Sequence, residues 1–121
     1  MYKAILILIC AMGILSPLSA QKNASNDFIG HWTSADDVVS TDIVFWKDKF
    51  GNFQMVSWDK TDGEMLEVSD LSAKNKTLMV TTKNISTNWI IQRTFVVVDE
   101  NNLTETIKGA TDTTLYWKKV K

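Results

Sequence analysis

The chain has 121 residues, a length for one domain and not two. Acids and bases nearly balance at 14 against 13, for a net charge of −1, and no basic block is available to neutralise phosphates, so nucleic acid is not an expected partner. One cysteine (Cys10) and one histidine (His31) supply neither a disulfide framework nor the several ligands a metal centre needs.

Residues 1–20 have the layout of a secretory leader. Lys3 provides a positive start, "AILILICAMGIL" is an apolar run too short to span a bilayer comfortably, and "SPLSA" ends in small residues, with cleavage expected after Ala20. Cys10 follows Ile9 and sits too early for lipid attachment, and it leaves with the leader. The mature chain, beginning at Gln21, then has no cysteine and no second hydrophobic stretch. It is expected to be a secreted or periplasmic protein without a transmembrane segment, held by packing and backbone pairing alone.

Residues 21–27, "QKNASND", are polar and aperiodic and read as a flexible tail. From residue 28 to 121 the chain falls into short runs rich in Thr, Val, Ile and aromatics, punctuated by Gly, Asn, Asp and Lys. Eight strands are expected: Ile29–Thr33, Asp42–Lys47, Asn52–Trp58, Glu64–Asp70, Thr77–Lys83, Asn88–Val98, Leu103–Lys108 and Thr113–Val120. The links are short, which forces neighbours in sequence to pair antiparallel in an up-and-down meander. The longest, "SADDVVST", carries Ser34, Asp36 and Asp37, which suit the cap of a single helical turn.

Alternation places Leu66 with Val68, Leu78 with Val80, and Leu115 with Trp117. The run "NWIIQRTFVVVD" is apolar on both faces, and its register is left open. An open sheet of eight strands exposes two pairing edges, and closure into a barrel removes them. The fold class expected is therefore all-β: an eight-stranded antiparallel up-and-down meander barrel, whose interior is filled by side chains or holds one small ligand.

The first strand opens with Gly30-His31-Trp32. Glycine permits a close approach where the chain crosses the barrel floor, and tryptophan is a flat plug with an N–H to satisfy. A Gly-x-Trp opening followed by about seven more short strands resembles the lipocalin-like (calycin) barrels, and most of all the short bacterial lipocalin-like proteins. That resemblance implies a basic residue of the last strand packed over Trp32, a place for Lys118 or its neighbour Lys119, with Gly30, Trp32 and Lys118 as the barrel-closing set. "TD" at Thr111-Asp112 echoes part of a family motif. The resemblance further implies a small hydrophobic or amphipathic ligand.

The residues proposed to meet such a ligand are the apolar strand faces, Phe45, Phe53, Met55, Leu66, Val68, Leu78, Val80 and Leu115, with Arg93 or Glu105 as a polar anchor. Arg93 and Glu105 each interrupt an apolar alternation. Facing inward they form a costly buried pair kept for a ligand's head; facing outward they are an ordinary surface pair, the orientation favoured on charge alone. "DKTDGE" (Asp59 to Glu64) reads as a hairpin turn and not a calcium loop.

The five tryptophans are read as packing or as the lining of a pocket, and Met55, Met65 and Met79 as adaptable filling. His31 is read as an exposed strand residue, and no catalytic set, metal or cofactor is expected. The functional reading is a non-enzymatic binding protein. The alternative is a protein-interaction module resembling barrel-shaped bacterial protease inhibitors, with the tail or an outer patch at Ile90, Val96 and Val98 meeting the partner.

Overall fold

The computed structural model describes residues 24–108 and 113–121. The leader, Cys10, residues 21–23 of the expected tail and Thr111-Asp112 lie outside the described residues. Eight antiparallel strands form one up-and-down sheet: β1 (Gly30–Ser34), β2 (Thr41–Lys47), β3 (Phe53–Asp59), β4 (Leu66–Lys74), β5 (Thr77–Asn84), β6 (Trp89–Asp99), β7 (Asn102–Ile107) and β8 (Thr113–Lys119). Among the described residues no helix is long and apolar enough to cross a membrane.

The sheet order is β3-β2-β1-β8-β7-β6-β5-β4, so the first strand pairs with the last, as expected. Trp32 lies opposite Ile43 on β2 and Lys119 on β8. The complete ring of neighbour pairings is not formed, however. Between β3 and β4 a single bridge, Trp58 with Met65, joins the strands beside their turn. Beyond it Phe53, Gln54 and Met55 face Val68, Ser69 and Asp70 across a cleft. The barrel is nearly closed, with one seam.

Strand β4 is also longer than expected. Its pairing with β5 shifts between Ser69 and Ser72, where Asp70 takes a positive φ of 53°. This bulge resets the alternation: Leu66 and Val68 are half-buried before it, Leu71 and Ala73 are inside after it. The stretch "LSAKNK" is therefore mostly strand, and Lys74 pairs with Thr77 around a tight turn in which Asn75 is left-handed.

One end of the barrel is plugged. Residues 24–27, part of the expected flexible tail, are tied down. Ala24 is buried and bridges Asn75, and Ser25 caps a one-turn 3-10 helix, Asn26–Phe28. Phe28 is fully buried and meets Phe45 and Phe53 edge to face, with ring centroids 5.9 and 6.2 Å apart. Phe45 continues the stack to Phe95, and Phe95 to Trp117. The Trp32 indole donates to the Phe28 carbonyl at 2.8 Å.

The Lys119 ammonium lies 5.0 Å from the Trp32 ring centroid. This corrects the assignment of Lys118, which is exposed: Lys119 has the inward parity of Leu115 and Trp117. Gly30, at φ 140°, is where that lysine crosses, and a Cβ there would come within 3.3 Å of Lys119 Cε.

The other end carries the connections after β1, β3 and β5. Ser34 Oγ accepts from Val38 N, and Asp37 takes a positive φ, so the loop after β1 is a bend and not the helical turn expected. "DKTDGE" is a turn: Asp59 Oδ1 accepts from Thr61 N, Asp62 Oδ1 accepts from Glu64 N, and Gly63 has φ 77°.

On the outer face of β2, Asp42 is buried beneath His31, Thr33 and Lys60. It accepts from His31 Nε2 at 2.7 Å and Thr33 Oγ1 at 2.8 Å, with Lys60 Nζ at 3.3 Å. Burial pushes this carboxyl up, but the hydrogen bonds from His31, Thr33 and Lys60 outweigh that and hold it below its ordinary 3.8. His31 is thus half-exposed and partnered, not a bare surface residue.

Two outcomes follow. Gly30→Ala destabilises the barrel by roughly 1–2 kcal/mol, read as a lower urea midpoint at unchanged slope, because the backbone there suits only glycine and Lys119 must shift. Asp42 carries a depressed folded-state value, so its contribution is fully present above its unfolded value and is lost as pH falls below about 3.8 through the lower folded value. Asp42→Asn accordingly makes the acid limb of a stability-against-pH profile shallower.

Candidate functional site

The end opposite the plug holds a cavity of about 350 Å³. Four strands supply most of its apolar wall, through Leu66 on β4, Ile91 on β6, Ile107 on β7 and Leu115 on β8. Val38 and Val39 close over it from the loop after β1, and Trp89, 65 % exposed, stands at its rim. Ser40, Thr41, Asp59 and Asn84 are polar lining residues near the turns, and Thr82, Arg93 and Trp117 complete the lining. The volume is at the small end of the range for ligand sites.

Arg93 and Glu105 face inward, which corrects the surface orientation favoured on charge. The neighbours two residues away decide it. Phe95 and Val97 on β6 and Leu103 on β7 are buried, and a strand's period of two carries Arg93 and Glu105 to the same side. The pair meets on a diagonal, since Arg93 lies opposite Ile107 and Glu105 opposite Phe95.

Arg93 Nε donates to Glu105 Oε2 at 2.6 Å and Nη2 to Oε1 at 3.0 Å, a two-pronged fork. Trp117 Nε1 also donates to Oε1, at 2.9 Å. Glu105 is fully buried, and the Arg93 guanidinium lies 5.2 Å from the Phe95 ring centroid. This group separates the filled, aromatic half of the interior from the open half above it.

Thr82 has the same inward parity as Leu78 and Val80. It is 1 % exposed, and its Oγ1 has no hydrogen-bond partner. A buried hydroxyl left unpaired is costly.

Of the candidates read from the sequence, Leu66, Arg93 and Leu115 line this cavity, and Glu105 lies beneath it as the partner of Arg93. Phe45 and Leu78 are packed in the core, as is Val80. Phe53, Met55 and Val68 border the seam between β3 and β4. Gly30, Trp32 and Lys119 belong to the plugged end.

Sequence reasoning passed over Thr82, Ile91 and Ile107 as lining residues, and Trp89 and Trp117 were left between packing and pocket. The signal for them was parity, since each continues the inward face of its strand. Val38 and Val39 come from a loop and carried no such signal.

The barrel fits a calycin-like fold. Compared with known proteins, the chain matches no family model, no curated protein and no solved structure.

Removing one member of the buried pair leaves an uncompensated charge. Arg93→Met alone or Glu105→Leu alone is expected to cost about 3–5 kcal/mol in urea unfolding. The double variant recovers most of that loss, because two apolar side chains of similar volume remove both charges together.

Proposed function

We propose that this chain is a non-enzymatic binding protein of lipocalin-like type that holds one small hydrophobic or amphipathic molecule in the mouth of its barrel. The observation that carries the reading is the cavity of about 350 Å³, walled by Leu66, Ile91, Ile107 and Leu115 and floored by Arg93, Trp117 and Thr82. Apolar walls with a few convergent polar groups are the general form of a small-molecule site. The leader layout of residues 1–20 supports export, so the ligand is one met in a periplasmic or extracellular space. The Gly30-His31-Trp32 opening, with Lys119 over Trp32, supports the lipocalin-like assignment.

A second reading, docking to a protein, draws on the outer face. There Met79, Ile90, Val96, Val98 and Tyr116 are exposed large apolar side chains. They are spread over β5, β6 and β8 and line no common cavity, whereas the mouth is a concave site, so the small-molecule reading is preferred.

Native mass spectrometry of the protein purified from its source tests the preference. The expected spectrum shows a mass increment of a small organic molecule that is lost on denaturation. A ligand-free protein that co-purifies instead with a stoichiometric protein partner overturns it.

A further inference from the structure

We infer that residues 21–23 pair in parallel with residues 72–74 of β4, as a short ninth strand that covers the free margin of β4 at the plugged end.

The sheet leaves that margin open. β4 is laddered to β5 on one side, and among the described residues no strand is laddered to the other. The Trp58–Met65 bridge to β3 precedes the first residue of β4. A bare margin of N–H and C=O groups is a template for pairing with another chain, and native proteins cover such edges.

Backbone direction shows which residues of β4 face the margin. Val97 N donates to the Lys76 carbonyl at 2.9 Å, so Lys76 faces β6. Consecutive residues of a strand aim their backbone groups to opposite sides, which is why bonded and non-bonded pairs alternate along a ladder. Thr77 therefore faces β4, where it pairs with Lys74. Lys74 in turn faces β5, and Ala73 faces the free margin. Ala73 is 1 % exposed, so its N–H and C=O are shielded from water there. Buried backbone groups are paired in nearly every native structure.

The chain that supplies the partner arrives on the same side. Ser25 N donates to the Asn75 carbonyl at 2.6 Å, and Ala24 makes a parallel bridge with Asn75. A parallel register advances both strands together, so each residue before Ala24 falls beside the residue before Asn75. Asn23 then lies beside Lys74, Lys22 beside Ala73 and Gln21 beside Ser72. The slanted, evenly spaced bonds of a parallel pair put the Asn23 N–H on the Ala73 carbonyl and the Ala73 N–H on the Gln21 carbonyl. Both backbone groups of Ala73 are thereby satisfied by one extended segment.

Amide hydrogen exchange of the purified protein, followed residue by residue by NMR, tests the pairing. The Asn23 and Ala73 amides are expected to exchange at least about a hundredfold more slowly than unstructured amides. Asn23→Pro removes the N–H aimed at Ala73 and is expected to speed Ala73 exchange about tenfold. Lys22→Pro removes an N–H aimed away from β4, and Ala73 is expected to keep its protection within about threefold.

An Asn23 amide that exchanges as fast as an unstructured one overturns the inference. Equal loss of Ala73 protection in the two proline variants overturns it too, because the stated register is then wrong. Ala73 protection that appears only as protein concentration rises also overturns it, since a second copy then covers the margin. The Asn23 readout is made on the unaltered chain, so it decides the question even where a variant does not fold.

Discussion

The barrel depends on β1. This strand of five residues is the only one laddered both to β2–β3 on one side and to the run from β4 to β8 on the other, through antiparallel pairing with β2 and β8. A short strand in that position has few backbone bonds to spend, so side chains reinforce it. Trp32 fills the interior and ties its indole to the Phe28 carbonyl, while Lys119 from β8 lies over the same ring. On the outside His31 and Thr33 fasten β1 to Asp42 of β2. The Gly-x-Trp opening is thus a joint: glycine where a neighbouring side chain must pass, tryptophan where three elements converge.

The interior above that joint is divided by polarity. The stack from Phe28 through Phe45 and Phe95 to Trp117 fills the plugged half with rings in edge contact. Filling stops at the Arg93–Glu105 fork, whose charges need the surrounding donors and cannot be overlaid by packed hydrocarbon on every side. Burying such a pair does not favour stability over an apolar alternative. Its position at the base of an open cavity is the simplest account of why the chain carries it.

Much of this was legible from residue types. The runs of Thr, Val, Ile and aromatics between Gly, Asn and Asp located the eight strands to within a residue or two, except where β4 continues through "LSAK". That extension was hidden because a bulge at Asp70 breaks the alternation, and no local residue type announces a bulge. The register of β6 was hidden for a different reason: both of its faces are apolar, and only pairing with β5 and β7 selects Phe95 and Val97 for the inside. Arg93 was misjudged because a charge's affinity for water was weighed above the burial of its neighbours two positions away. Lys118 was preferred where parity with Trp117 favours Lys119. The cavity's floor needed three dimensions, since Thr82, Arg93 and Trp117 come from three strands.

The seam between β3 and β4 has a mechanical meaning. A fully laddered barrel has a girth set by its strand number and stagger, and it cannot widen without breaking backbone bonds. Here the circumference is interrupted, with the Trp58–Met65 bridge acting as a hinge beside the turn. Leu66 of the cavity wall is the first residue of β4, next to that hinge. The bridge and the turn hold the girth at the mouth, and the slit lies toward the plugged end, where the margins of β3 and β4 are not paired with each other while the seven strand ladders carry the rest of the circumference.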